Sequence, residues 1–551
     1  MKKALSIILA VILLCMCLSG CQSSKTNPAD IETTDVAAKS DTPYFSLKEL
    51  PDIGGYVSGD IVDYFFEDGP HKEFTPGSDY GTIMPYVKET KLFESPEYYT
   101  YTDDDGKEVT VKQEYKDHAL WTEMGLATTD GKIITEPFFS SFTYEKGVDG
   151  KDFYILSDES GEGLKNYTVA ADGSWFLEFD GYPESICDDY YLPDNGFYIS
   201  CYEKYSQGNT VKVYDLDGNL IIDKQLENSK DYFTDIRYYN DEYYLFCSNY
   251  NSMNFYCICC DKDGNEVRTF NLGGGWPEMR YENIFPMRSN AEETVTLFDT
   301  NGNAIKKISN VTSLRVDQTN SRLLVSDGEN IRRIDKNGEV TERFKGDLNC
   351  FCYAADKPVF IDTENKKVYS AVDGKEIILD AGEKKIKILD SRYGENNEMF
   401  IFAIYADGCA GLFDTDGKKI CDLEKTVYVN DSYPEMVYTE TFIAYIAADN
   451  TVMIRNLTTG KEQKVDCEIN PEYTSLWSLN DSYLQLFTAA DKKGEIRIEN
   501  VYSTETGELL FRDVSEFSQC GENYVCATLN GSWVFDKDGN TLIKITNNNM
   551  Y

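Results

Sequence analysis

The strongest constraint on the fold is a short turn that recurs along most of the chain. Each copy places Asp, Asn or Thr just before a Gly, between two short apolar runs, as in Asp215-Leu216-Asp217-Gly218. A tight hairpin needs a residue at positive φ, which favours Gly, and an Asp or Asn side chain caps such a turn. The glycines stand at positions 131, 173, 218, 264, 302, 338, 374, 417, 460, 507 and 539, so the period is about 41 residues.

The segments between these turns share a second pattern. Between Thr312 and Phe344, four short apolar runs alternate with polar turns, and the same order recurs in Ile386–Leu423, Met436–Val465 and Phe517–Ile545. A repeat of about 40 residues with four meandering strands is typical of a β-propeller blade. The sequence has no convincing helical spacing over ten or more residues, and its 40 Tyr and 29 Phe favour strands. We therefore predict an all-β fold.

The number of blades follows from the number of repeats. About ten four-strand sets can be counted between Phe138 and Ile545. Single propellers usually close with about four to eight blades. We therefore predict a β-propeller of about seven or eight four-stranded blades in residues 183–551. The earlier repeats are expected to form a separate β-hairpin module in residues 44–182.

The earlier repeats resemble a known family. Tyr80–Val87 (YGTIMPYV) and Met124–Phe138 (MGLATTDGKIITEPF) resemble WG repeats, in which an aromatic-Gly pair precedes an Asp-Gly-Lys turn, two aliphatics, Pro and an aromatic, and Ala410–Ile420 is similar. Tyr, Met or Ala replaces the Trp of the family here. The resemblance implies a β-rich binding or scaffold role without a shared catalytic site. Leu457–Gly460 and Thr504–Gly507 are similar to parts of quinoprotein-type propeller repeats, without the tryptophan that docks blades there.

The N-terminal residues predict export and a membrane anchor. Two lysines precede the uncharged run Ala4–Leu18, which is too short to span a bilayer as a helix. Leu18-Ser19-Gly20-Cys21 resembles the lipobox of bacterial lipoproteins. The resemblance implies a signal peptide at residues 1–20 and a diacylated Cys21 on the extracytoplasmic face of the cell membrane. The alternative is an ordinary signal peptide in which Cys21 stands by chance.

The residues after the lipidation site predict a spacer. Residues 21–43 hold the lipidated Cys21 and a stretch rich in Ser, Thr, Asp, Asn and Ala that nearly lacks large apolar side chains. Such a segment cannot bury enough surface to offset its ordering entropy. It therefore predicts a flexible linker between the membrane and the folded body.

The net charge excludes one class of partner. The chain has 53 Lys and Arg against 95 Asp and Glu, a formal charge of −42, which becomes −44 once the two lysines of residues 1–20 are removed. Nucleic-acid binding depends on neutralising phosphates with Lys and Arg, so we expect no nucleic-acid partner. The expected partners are the membrane, through the lipid, and a protein or glycan of the cell envelope.

The cysteines and acidic turns form no familiar metal site. Cys15 and Cys17 leave with the signal, and Cys21 takes the lipid, so 13 of the 16 Cys remain and at least one cannot pair within the chain. The only CxxC spacing, Cys257 to Cys260, has no second CxxC to complete a zinc site. The sequence leaves open whether disulfide bonds form. Several cysteines recur at alternate positions in apolar runs, which indicates that they are core residues. The Asp-x-Asp-Gly turns do not match the spacing of a calcium loop.

The sequence contains no catalytic motif. His71 and His118 are the only histidines, and no GxSxG, HExxH or Walker-type sequence is present. We therefore predict a non-catalytic binding or scaffold protein of the cell envelope, with no cofactor or metal and with Cys21 as its one assigned site residue. The alternative is an envelope polysaccharide-acting hydrolase or lyase with acids and Tyr residues in a central channel.

One loop has an unusual composition. In Gly273–Pro277 (GGGWP), three glycines precede Trp276. Flexible glycines beside an exposed Trp would form an edge on which a sugar ring can stack. The alternative is a connection between blades in which Trp276 packs inward.

Overall fold

The computed structural model of the protein consists almost entirely of β-strands. It describes residues 80–546 except for 95–97, 103–107, 113–117, 159–164, 180, 187–192, 202–208, 229, 250–251, 253, 318–321, 346–347, 349–350, 353–358, 371–374, 394–398, 424–434, 440, 466, 468, 470–473, 490–496, 513, 529–530 and 538. Apart from a 3-10 turn at Val148–Gly150, the regular elements within these residues are strands. No helix in this part of the chain has the length and apolar character needed to cross a membrane.

Two hairpins precede the main repeats. β1 (Ile83–Glu94) pairs with β4 (His118–Thr128), and the shorter pair β2 (Tyr98–Thr102) and β3 (Glu108–Lys112) lies between them in the chain. The β1–β4 pair contains parts of Tyr80–Val87 and Met124–Phe138, two of the stretches that resemble WG repeats.

The next forty strands form ten four-stranded antiparallel sheets, each in chain order, which we number as blades 1 to 10. Blade 1 comprises β5 (Ser141–Glu145), β6 (Phe153–Asp158), β7 (Lys165–Ala170) and β8 (Phe176–Phe179); blade 2, β9 (Tyr182–Ile186), β10 (Gly196–Cys201), β11 (Thr210–Asp215) and β12 (Leu220–Gln225); blade 3, β13 (Asp231–Tyr239), β14 (Glu242–Asn249), β15 (Asn254–Asp261) and β16 (Glu266–Gly274); blade 4, β17 (Trp276–Pro277), β18 (Ile284–Ser289), β19 (Thr294–Asp299) and β20 (Ala304–Ser309); and blade 5, β21 (Ser313–Asp317), β22 (Arg322–Ser326), β23 (Asn330–Ile334) and β24 (Val340–Lys345).

The second half of the ring repeats this plan. Blade 6 comprises β25 (Phe351–Cys352), β26 (Val359–Asp362), β27 (Lys367–Ser370) and β28 (Glu376–Ile377); blade 7, β29 (Ile386–Tyr393), β30 (Met399–Tyr405), β31 (Ala410–Phe413) and β32 (Lys419–Leu423); blade 8, β33 (Met436–Tyr438), β34 (Phe442–Ile446), β35 (Val452–Asn456) and β36 (Glu462–Lys464); blade 9, β37 (Ser475–Asn480), β38 (Tyr483–Ala489), β39 (Arg497–Ser503) and β40 (Leu509–Arg512); and blade 10, β41 (Val514–Cys520), β42 (Asn523–Thr528), β43 (Gly531–Asp536) and β44 (Thr541–Thr546).

The first strand of each blade lies toward the axis of the propeller and the fourth lies at its outside. First strands of neighbouring blades contact one another, as β9 does β13 and β33 does β37. Fourth strands such as β12, β16 and β20 leave many of their residues exposed. This is the arrangement of a β-propeller, so the prediction of an all-β propeller fold is confirmed.

Apolar clusters join consecutive blades all the way round. Val213 of blade 2 shares a cluster with Leu245 of blade 3, and Val295 of blade 4 shares one with Leu323 of blade 5. Equivalent clusters occupy the other junctions between consecutive blades. Many residues of each cluster alternate along the second and third strands, because alternate side chains of a strand point to the same face. Burial of these faces is the main stabilising contribution of the ring.

The junction between blade 10 and blade 1 contains the β1–β4 hairpin. Leu126 of β4 packs in one cluster with Leu156 of blade 1 and Val534 of blade 10. The backbone of β1 is held from both sides, since the Tyr154 hydroxyl donates to the Ile83 carbonyl oxygen at 3.2 Å and the Ser532 hydroxyl donates to the carbonyl oxygen of Val87. The hairpin therefore closes the ring.

The Gly of the WG-like unit in β4 makes this hairpin pack closely. Gly125 lies directly opposite Tyr86 of β1, and a Cβ atom at Gly125 would stand 2.6 Å from the Tyr86 ring. The Tyr86 hydroxyl donates to the carbonyl oxygen of Thr135 at 2.8 Å, in the segment that follows β4. Any larger residue at position 125 would displace the buried Tyr86 side chain.

The recurrent turns join the third strand of a blade to the fourth. In blade 2 the Asp215 carboxylate accepts the backbone N–H groups of Asp217 and Asn219, each at 2.9 Å, and Gly218 has a φ of +75°. Asp261, Asp299, Asp335 and Asp414 accept the corresponding N–H groups of their own turns. The Asp side chains thus act as turn caps.

Several of the turn glycines also pack against the outer strand of the preceding blade. A Cβ atom at Gly264 would stand 2.1 Å from the carbonyl oxygen of Ile221, and one at Gly302 would stand 2.1 Å from Cγ of Phe270. Gly338 approaches Lys306 in the same way. The glycine is therefore required twice, for its backbone conformation and for the contact between blades.

The predicted count of seven or eight blades is wrong, because ten blades form the ring. The repeats counted from the sequence are all blades, including β5–β8, which the sequence placed in a separate module. Phe153 of blade 1 packs with Phe197 of blade 2, so the first repeat buries its face as the others do. The domain boundary predicted at residue 182 lies at the first residue of β9, and it stays a prediction.

Replacing Gly302 with Ala should test the contact between blades. Gly302→Ala is expected to lower the free energy of unfolding by about 3 kcal/mol, because a positive φ and a clash with Phe270 add. Gly273 is a matched control with a φ of +78° and open space where a Cβ atom would stand, so Gly273→Ala should cost about 1 kcal/mol. Chemical denaturation of both variants measures the difference, and equal losses would contradict the contact.

Candidate functional site

Large apolar side chains that remain exposed fall into two groups. The described aliphatic ones lie on or just after the outer strands of blades 2 to 7, namely Leu220, Val267, Ile305, Val340, Ile378 and Ile420. The described aromatic ones are Tyr182, Trp276 and Trp477, which lie on the first strands β9, β17 and β37. The aromatic group is therefore on the axial side of the blades.

Tyr182 and Trp276 also lie on one face of the ring, whereas Trp477 lies in the middle of β37. Because the strands of a blade alternate in direction, the first strand begins on the face opposite the turn between the third and fourth strands. Tyr182 and Trp276 are the first residues of their strands, and Trp477 is the third residue of β37. We call these three residues the aromatic edge.

Trp276 does not pack inward. Its side chain rests edge-on against Phe255 with ring centroids 5.2 Å apart, and 45% of the residue is exposed. Gly275 has a φ of +134° and would place a Cβ atom 2.7 Å from the carbonyl oxygen of Arg288, so a glycine is needed to bring the loop against β18. Stacking of a sugar on Trp276 stays a prediction.

Trp477 is the most exposed member of the aromatic edge, with 60% of its surface accessible. It lies directly opposite Gln485 of β38, and its ring approaches Phe487 edge-on at a centroid distance of 6.5 Å. Phe487 in turn lies opposite Glu499 of β39. Direct partners and alternate residues share a face, so these four side chains lie on the same face of blade 9.

Two glutamates lie at the junction of blades 9 and 10, one of them bonded to the Gln485 side chain that lies opposite Trp477. The Gln485 side-chain amide donates to Glu499 at 2.8 Å, and the Ser518 hydroxyl donates to Glu516 of β41. Burial raises the pKa of Glu499 to about 7, and the negative charge of Glu516 contributes in the same direction. Burial also raises the pKa of Glu516. We call Trp477, Gln485, Glu499 and Glu516 the Trp477 site.

A second pair of carboxyl groups lies between blades 1 and 2. The backbones of these blades are joined there, since Val148 N donates to Asp194 O at 2.9 Å and Asp194 N donates to Lys146 O at 3.0 Å. Burial raises the pKa of Glu145 to about 7, and a hydrogen bond to Asp194 acts in the same direction. This pair has no exposed tryptophan beside it, so the Trp477 site is the more suitable surface for a ligand.

The described cysteines behave mainly as core residues. Cys247 and Cys526 are buried free thiols, and Cys257 and Cys259 are fully buried with their sulfurs 4.0 Å apart. Burial raises the pKa of the Cys257 thiol well above its ordinary value, which makes it a poor nucleophile. Among the described residues, no group of three or more His, Cys, Asp or Glu side chains could hold a metal ion.

The one site residue assigned from the sequence is not tested by the structure. Cys21, the signal peptide and the linker of residues 21–43 lie outside the described residues, as does His71. The Trp477 site was not predicted. Trp477 stands in the ordinary strand sequence SLWSLN, and its polar neighbours come from three other strands.

Comparison with known proteins assigns no family. No protein-family model matches the sequence, and no curated protein matches it. Among solved structures, BamB from Moraxella catarrhalis is 13% identical over 57% of this chain and 98% of its own, with a TM-score of 0.29. AztD from Citrobacter koseri is 10% identical over 69% and 94%, with a TM-score of 0.29. A eukaryotic initiation factor is 8% identical over 62% and 95%, with a TM-score of 0.37. Likeness at this level assigns no function.

The raised pKa of Glu499 predicts a pH-dependent stability. Between the ordinary pKa near 4.5 and the folded value of about 7, the unfolded chain has lost this proton and the folded chain has kept it. The free energy of unfolding should therefore fall as pH rises through this window. Glu499→Gln should remove this part of the decline and be about 2 kcal/mol more stable than the wild type at pH 8.

Urea denaturation at pH 5 and pH 8 measures this effect. Glu505→Gln, at a glutamate exposed in the turn between β39 and β40, serves as the control and should leave the pH dependence of the wild type unchanged. A Glu499→Gln variant with the full wild-type pH dependence would show that Glu499 is ionised in the folded protein at neutral pH.

Proposed function

We propose that this chain is a membrane-anchored extracytoplasmic lipoprotein with a non-catalytic binding or scaffold role toward a protein or glycan of the cell envelope. The observation that carries the proposal is the aromatic edge, where Trp276 and Trp477 are 45% and 60% exposed on the first, axial strands of their blades. The lipobox-like sequence at Cys21 supports the anchor.

Exposed tryptophans on a buried framework favour a binding surface. Elsewhere the large aromatic side chains fill the clusters between blades, as Trp533 does between blades 9 and 10. A tryptophan left in water keeps a large apolar area unburied, and tryptophan is enriched where proteins bind partners. The aromatic edge is therefore the part of the described surface best suited to a partner.

The construction of the ring supports recognition by a rigid surface. First strands are hydrogen-bonded to second strands, and blades are joined by apolar clusters and by turns that interlock. A preorganised surface loses little conformational freedom on binding. The sequence contains no catalytic motif. A binding or scaffold role requires only the exposed aromatic side chains and the rigid ring.

Substitution of the aromatic edge should reduce capture of envelope material. We expect Trp477→Ala and Trp276→Ala each to weaken retention of the partner by about tenfold, because a central tryptophan contributes about 1–3 kcal/mol to an interface. Val267→Ala is the control, since Val267 is 50% exposed on the outer strand β16. Affinity capture from solubilised cell envelopes, followed by titration of the captured component, measures the effect.

Two results would overturn the proposal. Capture that is unchanged in the double variant of Trp276 and Trp477 would remove the aromatic edge as the binding surface. Sustained cleavage of an envelope polysaccharide that is lost in Glu499→Gln or Glu516→Gln would replace the binding role with the enzymatic alternative.

The anchor predicts a separate result. Cys21→Ala should abolish incorporation of radiolabelled fatty acid, because the thiol that carries the lipid is removed. Cys409→Ala, at a partly buried cysteine in the ring, is the control and should remain labelled. Labelling that persists in Cys21→Ala would exclude the anchor.

A further inference from the structure

Two arginines lie directly opposite each other in the outer half of blade 5. Arg332 of β23 is the register partner of Arg343 of β24, so the two side chains lie on the same face of the sheet. We propose that this pair, which we call the arginine pair, binds a phosphate monoester, such as that of a phosphorylated sugar or of a lipid headgroup. The site is separate from the aromatic edge, and the inference goes beyond the proposed function.

The neighbouring residues of the same two strands show the usual arrangement of charges. Arg333 lies opposite Glu342, and its Nη1 atom stands 3.4 Å from a carboxylate oxygen of Glu342. Partners of opposite charge stabilise a pair of strands, whereas like charges directly opposite each other destabilise it. One face of these strands thus carries an ion pair, and the other carries two positive charges.

Backbone carbonyl groups hold the side chain of Arg332. It crosses to the end of β20 in blade 4, where both Nη atoms donate to Ser309 O at 3.1 Å and Nη2 also donates to Asn310 O at 2.5 Å. These neutral acceptors orient the guanidinium group and leave its positive charge in place. The Nε atom is buried, and no described residue accepts a hydrogen bond from it. A bound water or ion commonly satisfies a buried donor of this kind.

The two guanidinium groups are close enough to affect each other. Burial lowers the pKa of Arg332, and the positive charge of Arg343 acts in the same direction. The Asp327 carboxylate opposes this effect, but it also caps a turn, since its Oδ1 atom accepts the backbone N–H groups of Glu329 and Asn330. Arg343 is exposed to solvent. The charge of the two arginines together exceeds that of Asp327, which favours an anionic ligand.

Charge and geometry favour a phosphate monoester as that ligand. A guanidinium group presents paired N–H donors that match the oxygens of a carboxylate or a phosphate. A single guanidinium group can engage both oxygens of a carboxylate, whereas a phosphate monoester offers three oxygens and about two negative charges and can bridge two guanidinium groups. Residues 304–345 contain nine Lys and Arg against six Asp and Glu, whereas the whole chain has a charge of −42. That overall charge repels an extended polyanion, so a single phosphate group suits the site best.

The test uses the full-length protein in detergent, with inorganic phosphate and glucose 6-phosphate as probes. Both should raise the thermal midpoint of the wild type more than sodium chloride of equal ionic strength does, because a ligand of the folded state stabilises it. Arg343→Gln should raise the midpoint in the absence of phosphate, since it removes a like charge. In calorimetric titrations it should lower the affinity for both probes by about tenfold.

Arg333→Gln is the matched control on the other face of the same strands. It removes the ion pair with Glu342, so it should not raise the midpoint, and it should keep the wild-type affinity for phosphate. Arg343→Lys should bind more tightly than Arg343→Gln and more weakly than the wild type, because it keeps the charge and loses the paired donors.

The two sources of the phosphate can be separated in a Cys21→Ala background, which lacks the predicted lipid. Tighter binding to vesicles that contain phosphatidic acid than to glucose 6-phosphate, lost when Arg343→Gln is added, would assign the site to a lipid headgroup. The reverse preference would assign it to a soluble phosphate ester.

Three results would overturn the inference. They are a wild-type response to phosphate no larger than that to sodium chloride, a phosphate affinity that is unchanged in Arg343→Gln, and an equal loss of affinity in Arg333→Gln. None of them would affect the proposed binding function, because Trp276 and Trp477 lie on first strands and the arginine pair lies on the third and fourth strands of blade 5.

Discussion

The contact between the face of one blade and the next is the interaction on which the structure depends. A four-stranded sheet with two apolar faces is not stable alone in water, and it becomes stable when neighbours cover both faces. Here the faces are covered by clusters such as that of Val213 and Leu245. The turn at the outside adds a second contact, because Gly302 and its equivalents pack directly against the preceding outer strand. The same repeat sequence thus determines both the fold of a blade and its contact with the neighbouring blade.

Closure of the ring follows from the same constraint. Blades 1 and 10 each have one face with no following or preceding repeat to cover it. The β1–β4 hairpin covers both, with Leu126 in the cluster and hydrogen bonds to β1 from Tyr154 and Ser532. The sequence of this strand pair resembles another kind of repeat. It can still cover blades 1 and 10, because closure requires only that the pair present two apolar faces at the right distance from each other. A ring of ten blades closes in this way without an eleventh complete blade.

The packing of the blades also determines which positions can differ from one blade to the next. The first strands of the blades make only narrow contacts with one another near the axis. Side chains at the beginning of these strands are therefore not needed for the apolar clusters, and different residue types can occupy these positions. Trp276 occupies such a position, Trp477 is exposed in the middle of its first strand, and Glu499 and Glu516 lie at the junction of blades 9 and 10. Carboxyl groups at the junction of two blades lose hydration, which raises their pKa values without a metal or a catalytic partner. These positions are therefore where chemistry can be added without loss of the fold.

The sequence by itself determined the local structure. Asp215 and Gly218 specify a tight turn from four consecutive residues, and alternation of apolar residues specifies the strands, so about ten sets of four strands could be counted along the chain, although seven or eight blades were predicted. The sequence could not decide that all of them share one ring, because closure depends on how the faces of blades 1 and 10 meet the hairpin. It also could not place Trp477 opposite Gln485, or Glu499 and Glu516 at one junction. Those side chains come from β37, β38, β39 and β41, and only the registers of the strands and the packing of blade 9 on blade 10 bring them together.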